Sequence, residues 1–505
     1  MNPERIILSG MMCSGKTTVG KALSRILGWN FVDTDKLVEQ EAGMEISRIF
    51  AEYGEATFRQ LEKEVIRKVT LLKNTVISTG GGVVLDPENF EILEKNSLFV
   101  YLRVSPEKLR LRCHSGKRPL LNTRTIEEIF HERKELYEKI PVSVNAENPP
   151  LRVAQEILYH LPPEEPTIVS GIEKIVISRG LLEQLHSRVQ NASVFFVQRK
   201  VFDIFRWVFN GKRVFILPDG ERAKSPETFK RAVRFLMAAK VDRGDTLVSV
   251  GGGAASDISG FVSSVFKRGI RFINVPTTLL SQVDAGIGGK NAINFDNVKN
   301  VVGTFYHPET VFIDPLTLLS LDTRAYRQGF AEIVKSAIIG DPDLFKYLSE
   351  HAEELKWRNM QALKDVILST VRVKLRIVER DFRESSGERK ILNLGHTFGH
   401  AFEVLLNLYH GEAVALGLLA AIEIGDKMGI TVRWFYDRVF ELLDYFDLLR
   451  DFERIRFLDR NQVLEKILQD KKIRDGKIDF VLPVEPGKVV IKSLDPHWVV
   501  KEVLR

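Results

Sequence analysis

The stretch RIILSGMMCSGKTTVGKALSRILG, residues 5–28, combines three patterns that decide the fold of the N-terminal part of the chain. RIILS is a short apolar run typical of a buried strand, and VGKALSRIL has the spacing of an amphipathic helix. Between them, GMMCSGKTT fits G-x-x-x-x-G-K-[ST], with Gly10, Gly15, Lys16 and Thr17 at the defined positions. A strand, a glycine-rich loop and a helix in this order predict a parallel α/β sheet.

The residue types in this loop suit the phosphates of a nucleotide. Backbone N–H groups of a tight glycine turn can surround phosphate oxygens, and the N-terminus of the following helix adds a positive dipole. The lysine can neutralise the outer phosphates, and the threonine hydroxyl can ligate Mg²⁺. We therefore expect ATP and Mg²⁺ to bind through Gly10, Ser14, Gly15, Lys16, Thr17 and Thr18.

Length and composition exclude several classes of protein. A chain of 505 residues is too long for one ordinary core and predicts roughly two to four domains. A net charge of +6 is small for this length, which argues against a nucleic-acid partner and suits small anionic substrates. We find no signal-peptide pattern, and the best apolar candidate, residues 413–425, is shorter than a membrane span. Two cysteines argue against a disulfide-stapled secreted fold, so we expect a cytoplasmic protein without membrane contacts.

A proline-rich segment at 162–166 separates two parts of the chain. Prolines at 162, 163 and 166 follow a helical pattern and favour an extended linker. Before them, strand-like runs alternate with amphipathic stretches, which predicts a parallel sheet with helices on both faces. After them the alternation resumes, and long helical periodicities dominate further on. We predict domains at 1–161, 167–315 and 316–505, with a linker at 162–166 and a mainly helical last domain.

Five further motifs before the linker place charged residues and glycines at defined positions. They are FVDTDKLVEQ at 31–40, GEATFRQLE at 54–62, STGGGVV at 78–84, GKRPLL at 116–121 and RKELY at 133–137. A polyhydroxylated acid needs carboxylates for its hydroxyls and guanidinium groups for its own carboxylate, and these motifs supply both. Because the motifs agree in order and spacing, residues 1–160 resemble shikimate kinase.

The resemblance implies a role for each matching residue. Asp33 would help Thr17 to hold Mg²⁺, and Arg118 would lie on a mobile lid and reach the transferring phosphoryl group. Shikimate would be bound by Asp35, Arg59, Gly81 and Arg133. Cys13 is a departure, because many phosphate-binding loops carry glycine there.

A second glycine-rich turn lies in DTLVSVGGGAASDISGF, residues 245–261, where a buried-strand pattern ends. Its glycines let the backbone approach a pyrophosphate closely, although such a turn alone is about as often structural. With PDGERAKS at 218–225, VPTTLLSQVDAGIGGKNAIN at 275–294 and NVKNVVGTF at 297–305, the chain from about residue 167 resembles 3-dehydroquinate synthase. The resemblance implies that NAD binds through Glu221, Lys224, Gly251, Gly252, Gly253, Asp257, Thr277, Thr278 and Lys299.

The same resemblance implies a site for 3-deoxy-D-arabino-heptulosonate 7-phosphate. Its phosphate and carboxylate would contact the cationic residues Arg268, Lys290, Lys335, Lys374 and Arg389. Asp284, Asn300, Asn393 and Lys471 complete the predicted site, with Lys472 as an alternative to Lys471. A solvated surface charge does not explain the lysine in GIGGKN, because it lies among glycines and apolar residues.

Three of the ten histidines lie in LNLGHTFGHAFEVLLNLYHGE, residues 392–412. His396 and His400 share a helix face, so spacing alone predicts that these two bind one metal ion. His410 follows His396 by 14 residues, about 21 Å on a straight helix. It is therefore either unrelated or returned by a turn of the chain. The family resemblance implies the second arrangement, with Glu332, His396 and His410 as ligands of Zn²⁺ or Co²⁺.

The resemblance to 3-dehydroquinate synthase also implies catalytic roles for His400, Glu384 and Lys290. His400 and Glu384 would transfer protons, and Lys290 would act on the substrate. NAD would remove a hydride from C5 and return it after phosphate elimination, before ring opening and aldol closure. SLDTRAYRQGFAE at 320–332 lacks the usual TLPxRE of the family, with Ala325 in place of glutamate.

We therefore expect a fusion of a shikimate kinase with a 3-dehydroquinate synthase. The kinase would be a P-loop α/β fold, and the synthase would combine an α/β NAD-binding domain with a mainly helical metal- and substrate-binding domain. Its partners would be small-molecule substrates and a second copy of the chain, bound through the synthase half. Alternatives are a related sugar phosphate cyclase or a metal-dependent polyol dehydrogenase in the C-terminal half, and a nucleotide-binding regulatory module in the N-terminal half.

Overall fold

Apolar runs and amphipathic helices alternate along the chain, and this pattern produces two compact α/β units. The computed structural model describes residues 3–113, 121, 124–189, 193–296, 298–384, 386–470 and 475–504. One unit comprises Met1–Pro163 with Trp357–Gln361, and the other comprises Glu164–Lys356 with Ala362–Arg505. The division between them falls inside the predicted linker at 162–166. Residues on both sides of the predicted boundary at 315 belong to the second unit.

The first unit is built on a five-stranded parallel sheet. Its strands are β1 Arg5–Ser9, β2 Asn30–Asp33, β3 Thr75–Ser78, β4 Ser97–Arg103 and β5 Val142–Asn145. Its helices are α1 Lys16–Leu27, α2 Thr34–Ala42, α3 Ile46–Val69, α4 Pro87–Glu94, α5 Pro106–Arg112, α6 Ile126–Tyr137 and α7 Pro150–Tyr159. The strand order β2-β3-β1-β4-β5 places the fully buried β1 at the centre. The loops after β1, β2 and β3 therefore meet at one edge of the sheet.

A disulfide joins Cys13 and Cys113 in this unit, with 5.7 Å between their Cα atoms. We used the cysteine content only to argue against a disulfide-stapled secreted fold, so this bond was not predicted. The pairing depends on the strand order, because β1 and β4 are neighbouring parallel strands. Cys13 lies in the loop after β1, and Cys113 follows α5, the helix after β4. Residues 100 apart in sequence are thereby brought together.

The second unit contains a seven-stranded sheet and two separate hairpins. The sheet strands are β6 Thr167–Ser170, β7 Lys174–Ile177, β8 Val194–Gln198, β9 Arg213–Leu217, β10 Thr246–Gly251, β11 Arg271–Pro276 and β14 Thr310–Ile313. The hairpins are β12 Lys290–Phe295 with β13 Val298–Phe305, and β15 Ile478–Glu485 with β16 Lys488–Leu494. The sheet order is β6-β7-β14-β11-β10-β8-β9, parallel except for β6.

Helices cover this sheet and then form the rest of the unit. Those before residue 316 are α8 Leu185–Arg188, α9 Arg199–Ile204, α10 Pro226–Ala238 and α11 Gly253–Val265. Those that follow are α12 Thr323–Gly340, α13 Pro342–Glu350, α14 Ala352–Lys356, α15 Met360–Arg380, α16 His396–Leu406, α17 His410–Lys427, α18 Trp434–Tyr445, α19 Arg460–Asp470 and α20 Pro496–Val503. The predicted α/β class, with a mainly helical C-terminal part, is confirmed.

The turn between α16 and α17 decides the position of the third histidine. Asn407 has a φ of +53°, the left-handed conformation that ends a helix. The chain then reverses, and the two helices pack closely enough that a Cβ on Gly417 would lie 1.8 Å from the carbonyl oxygen of Gly395. Separately, no helix in the described part of the chain is long and apolar enough to cross a membrane.

Candidate active sites

The glycine-rich loop lies between the carboxyl end of β1 and the start of α1. Gly15 has a φ of +96°, and the next residue begins the helix. The Lys16 ammonium donates to the carbonyl oxygens of Gly10 and Met11 at 2.8 and 2.9 Å, so it is held over the loop. Thr17 Oγ1 donates to a carboxylate oxygen of Asp33 at 2.8 Å. This pair offers two oxygen ligands beside the loop, as a Mg²⁺ ion requires. Ser14 is buried inside the loop and Thr18 is exposed.

A cavity of about 330 Å³ lies next to this loop and contains all four residues predicted to bind shikimate. These are Asp35, Arg59, Gly81 and Arg133. The Arg133 side chain is buried and donates from Nη1 to the Gly81 carbonyl at 3.0 Å. The cavity is therefore lined by two guanidinium groups and several carboxylates, a combination suited to a hydroxylated acid.

Glu62 is a cavity residue that the sequence analysis missed. Its Oε2 accepts a hydrogen bond from Arg59 Nη1 at 2.7 Å, and its side chain is 3% exposed. Burial raises the pKa of Glu62, and the Arg59 guanidinium opposes this shift. The (i, i+3) spacing from Arg59 on α3 was visible in the sequence but is common on helix surfaces. Arg118, the predicted lid residue, lies outside the described residues.

Glu332, His396 and His410 come together in the second unit. Glu332 is fully buried in α12, and each histidine is the first residue of its helix. Glu332 Oε1 lies 3.5 Å from His396 Nε2 and 3.3 Å from His410 Nε2. One ligand atom from each residue lies within 4.8 Å of the others, close enough for one metal ion. His400 is nearby, with its ring centre 5.4 Å from that of His396.

The electrostatics of this cluster suit a cation. Burial alone would raise the pKa of Glu332, but Lys335 and the two histidines hold it well below its usual range. Burial and the neighbouring Lys335 ammonium lower the pKa of His396 to about 3, which keeps this imidazole neutral and its lone pair available. Burial would also lower the pKa of His410, but Glu332 and Glu403 raise it to about 10. The carboxylates therefore favour positive charge at this point.

Two of the five predicted cationic residues, Lys335 and Lys374, are buried near the cluster. Lys335 is 2% exposed and forms an ion pair with Glu332. Lys374 Nζ lies 2.6 Å from Asp284 Oδ1. Burial alone would raise the pKa of Asp284, but Lys374 and Lys335 together lower it. A buried charge requires a partner, so these pairs hold cationic groups ready for an anion in an apolar environment.

Three further predicted residues form a second network beside the loop that contains Gly288. Lys290 Nζ lies 2.5 Å from Glu384 Oε1, and the Arg389 guanidinium lies 3.9 Å from the same oxygen. Arg389 is buried and also donates to the Gly288 carbonyl at 3.1 Å. The Glu384 carboxylate thus pairs with one exposed cation, Lys290, and one buried cation, Arg389.

The glycines and threonines predicted to bind the cofactor lie at the carboxyl ends of β10 and β11. Gly251 ends β10, and α11 begins at Gly253, so a phosphate there would face a helix N-terminus. The Thr277 N–H donates to the Gly251 carbonyl at 2.8 Å, and Thr278 Oγ1 lies 2.8 Å from Ser281 Oγ. Gly252 caps the helix between these two glycines.

Lys224 is the centre of the polar network beside that helix. Its Nζ lies 2.6 Å from Asp257 Oδ2 and also contacts Asn300 Oδ1. Burial raises the pKa of Asp257 to about 6, although Lys224 opposes the shift. Glu221 accepts a hydrogen bond from Asn294 at 2.9 Å. Asn300, predicted to bind substrate, thus contacts a predicted cofactor residue.

Two predicted substrate residues, Arg268 and Asn393, are exposed to solvent. Arg268 is exposed and precedes β11, whereas Thr277 and Thr278 follow that strand. The six residues of β11 span about 20 Å, so Arg268 lies near the opposite edge of the sheet. Asn393 is exposed at the end of a short 3₁₀ helix. Lys471 and Lys472 lie outside the described residues.

Lys299 contacts a residue that the sequence analysis did not single out. Its Nζ lies 2.7 Å from Glu403 Oε1, and Glu403 Oε2 lies 3.2 Å from His410 Nδ1. We predicted Lys299 as a cofactor residue, and the structure connects it to a metal-ligand candidate. Glu403 follows His396 by seven residues on α16, a spacing that keeps both on one helix face and could have indicated it.

Comparison with known proteins gives consistent matches for both units. A family model of shikimate kinase matches residues 12–162. Models of the N-terminal and C-terminal parts of 3-dehydroquinate synthase match residues 214–328 and 329–473. The bifunctional shikimate kinase/3-dehydroquinate synthase of Thermotoga maritima is 38% identical over 501 residues, covering 97% of this chain and 98% of that protein. The 3-dehydroquinate synthase of Alkaliphilus oremlandii is 40% identical over 57% of this chain and 79% of its own length.

Two solved structures are each similar to about two thirds of this chain, which is the share that the second unit occupies. The 2-epi-5-epi-valiolone synthase ValA of Streptomyces hygroscopicus, with NAD+ and Zn2+ bound, has a TM-score of 0.60 at 26% identity and covers 68% of this chain and 98% of that chain. A 2-deoxy-scyllo-inosose synthase complexed with carbaglucose-6-phosphate, NAD+ and Co2+ has a TM-score of 0.59 at 22% identity, covering 67% and 99%. The second similarity concerns the fold alone.

Proposed function

The chain belongs to the bifunctional shikimate kinase/3-dehydroquinate synthase family, and from this premise we propose which of its residues carry each activity. It phosphorylates shikimate with ATP, and it converts 3-deoxy-D-arabino-heptulosonate 7-phosphate to 3-dehydroquinate and phosphate. Both reactions belong to chorismate and aromatic amino acid biosynthesis. The observation that carries this conclusion is the 38% identity over 97% of the chain, because it spans both units.

In the kinase unit, we assign the nucleotide phosphates to the loop backbone and the Lys16 ammonium. The loop geometry supports this assignment, since Lys16 is already held over the loop by two carbonyl oxygens. Thr17 and Asp33 would hold Mg²⁺, which supplies charge neutralisation for the transferred phosphoryl group. Their 2.8 Å hydrogen bond places both oxygens on the same side of the loop.

We assign the acceptor, shikimate, to the cavity beside the loop. Arg59 and Arg133 would hold its carboxylate, and Asp35 would accept a hydrogen bond from one of its hydroxyl groups. These contacts orient the attacking hydroxyl and convert a bimolecular encounter into a reaction between positioned groups. Arg59 must exchange part of its ion pair with Glu62 for the substrate, which favours binding of an anion over a neutral polyol.

In the synthase unit, Glu332, His396 and His410 fit a catalytic Zn²⁺ or Co²⁺ site. One carboxylate and two imidazoles leave positions open for substrate oxygens. The similar ValA structure holds NAD+ and Zn2+, which supports the same cofactors here. When bound, the metal supplies Lewis acidity, and NAD accepts a hydride and returns it within one turnover.

The chain's own residues would then hold the substrate and move its protons. Lys335, Lys374 and Arg389 are buried cations that would bind the phosphate and carboxylate in place of their present partners. We assign proton transfer to His400 and Glu384, which lie beside the metal cluster and the cationic network respectively. Excluding water around these groups would strengthen their electrostatic effect on the developing charges.

We also propose that the chain works in the cytoplasm as a homodimer formed through the synthase half. The β12–β13 hairpin supports this proposal, because Phe295, Val298, Val301 and Phe305 are each more than 40% exposed there. Apolar side chains grouped in this way are typical of protein contacts. Light scattering at several concentrations would test the dimer, and a monomer at all of them would contradict it.

The decisive experiment measures phosphate release from 3-deoxy-D-arabino-heptulosonate 7-phosphate with metal and catalytic NAD. We expect release without accumulation of NADH in the wild type, and loss of release in His410→Ala. Shikimate phosphorylation by the same preparations serves as the control and should be unchanged. Accumulation of NADH would indicate a dehydrogenase, and a carbocycle other than 3-dehydroquinate would indicate a different sugar phosphate cyclase.

A further inference from the structure

A chain of three polar side chains connects the β12–β13 hairpin to the metal-ligand cluster. The Lys299 ammonium lies 2.7 Å from Glu403 Oε1, and Glu403 Oε2 lies 3.2 Å from His410 Nδ1. His410 Nε2 in turn lies 3.3 Å from Glu332 Oε1. Each oxygen of the Glu403 carboxylate therefore has a different partner, one cation and one imidazole.

The contact with His410 has a direct consequence for metal binding. A neutral imidazole carries its proton on either nitrogen, and only the other nitrogen can bind a metal. When Nδ1–H donates to a carboxylate, that proton is held on Nδ1, so a metal ion that displaces the other proton binds at Nε2. The carboxylate also makes the imidazole a better electron donor.

The other histidine of the cluster has a different partner. His396 Nδ1 lies 3.1 Å from the carbonyl oxygen of Leu394, a backbone group that no substitution removes. Both imidazoles therefore direct Nε2 at Glu332, but among the described residues the partner of Nδ1 is a backbone carbonyl for His396 and a carboxylate for His410. His410 is also the more exposed of the two side chains, at 34% against 12%.

The backbone of Glu403 strengthens its position. Its carbonyl oxygen accepts hydrogen bonds from the N–H groups of Asn407 and Leu408, which form the turn between α16 and α17. The same residue thus closes the turn that returns the chain and contacts the histidine that begins α17. The Glu403 side chain is 17% exposed, whereas that of Lys299 is 59% exposed, so water screens the ion pair mainly from the side of the ammonium group.

We infer that Glu403 is a positioning residue that fixes the tautomer and orientation of His410, and that Lys299 acts on the metal site through Glu403. This inference rests on the proposed metal site, and it adds an indirect role to the predicted role of Lys299 in binding NAD. Lys299 holds one carboxylate oxygen so that the other remains directed at His410. The hairpin that carries Lys299 is thereby coupled to metal affinity.

The test measures the affinity of metal-free full-length protein for Zn²⁺ by competition with a chromophoric chelator. We expect Glu403→Gln to weaken binding about 10- to 100-fold, the usual cost of losing such a partner. Lys299→Met should weaken it about two- to fivefold, because a half-exposed ion pair contributes little. The double variant should match Glu403→Gln alone, since Lys299 then has no carboxylate through which to act.

Glu423→Gln is the matched control. Glu423 lies on α17, the helix packed against α16, but its carboxylate pairs with the Lys427 ammonium at 2.9 Å and contacts none of the predicted metal or substrate residues that the structure describes. The substitution should leave Zn²⁺ affinity unchanged. The visible spectrum of bound Co²⁺ provides a second measurement, and it should change in Glu403→Gln but not in Glu423→Gln. Thermal unfolding of each variant shows whether its synthase unit is folded. If Glu403→Gln is not folded, Glu403→Asp is measured in its place.

Each outcome has a definite meaning. Equal Zn²⁺ affinity and an equal Co²⁺ spectrum in wild type and Glu403→Gln would overturn the inference and leave the proposed function intact. No Zn²⁺ or Co²⁺ binding by the wild type would instead overturn the proposed metal site. If Lys299→Met left Zn²⁺ affinity unchanged, the indirect role of Lys299 would be overturned, whether or not NAD binding weakened.

Discussion

Reduction of the Cys13–Cys113 disulfide should destabilise the kinase unit. The bond closes a loop of 100 residues, and the chain-entropy relation assigns such a closure about 4.7 kcal/mol at 25 °C. Measured values are commonly about 2–4 kcal/mol, because unfolded chains keep some residual structure. For a unit of this size, each kcal/mol shifts the melting temperature by about 2–4 °C. We therefore expect reduction to lower the melting temperature of the kinase unit by about 5–20 °C.

Differential scanning calorimetry of the full chain, with and without a dithiol reductant, measures this shift. The transition of the kinase unit is identified as the one that ATP and shikimate raise. The Cys13→Ser/Cys113→Ser variant is the control, since it should melt like the reduced wild type and not respond to reductant. A thiol assay must show that the bond has opened. A transition that then moves by less than about 2 °C would refute the entropic argument, and two free thiols in the untreated protein would refute the bond itself.

Three further predictions concern the two sites. Arg133→Met should raise the KM for shikimate about 10- to 150-fold, because a charge-assisted hydrogen bond contributes about 1.5–3 kcal/mol, and phosphate release by the synthase should not change. Dialysis against a transition-metal chelator should abolish that phosphate release, and Zn²⁺ or Co²⁺ should restore it, while shikimate phosphorylation with added Mg²⁺ persists. The pKa of Asp257, raised to about 6 from 3.8 by burial, means that the folded chain holds an extra proton between these values. The urea midpoint of the cofactor-free synthase unit should therefore fall as pH rises from about 4 to about 6, and Asp257→Asn should lack this component.

The strand–loop–helix order in the first unit was predictable because each signal is local. A buried apolar run, a glycine turn and an amphipathic helix are each encoded within a few residues, and β1 and α1 have the predicted positions. The disulfide was not predictable in the same way. It depends on which strand lies beside β1, and strand order is a property of the whole sheet.

The metal cluster shows the same limit. Spacing alone favoured His396 with His400, because a helix face is a local property. His410 joins the cluster only because the chain turns at Asn407, and family resemblance was needed to anticipate this turn. Glu403 was missed because it contacts a ligand and not the metal position. Arg268 remains a predicted substrate residue, although the structure places it before β11.

The positions of the two histidines also explain why carboxylates are concentrated around them. His396 and His410 each begin a helix, and a helix N-terminus carries roughly half a positive charge. Two such ends beside a divalent cation would repel it, and the nearby Lys335 ammonium adds to the repulsion. The fully buried Glu332 carboxylate lies between the imidazoles, and Glu403 lies behind one of them, so each opposes this positive charge from a different side. The buried cations near this cluster are useful, because a substrate with both a phosphate and a carboxylate enters a site whose cations are already in place.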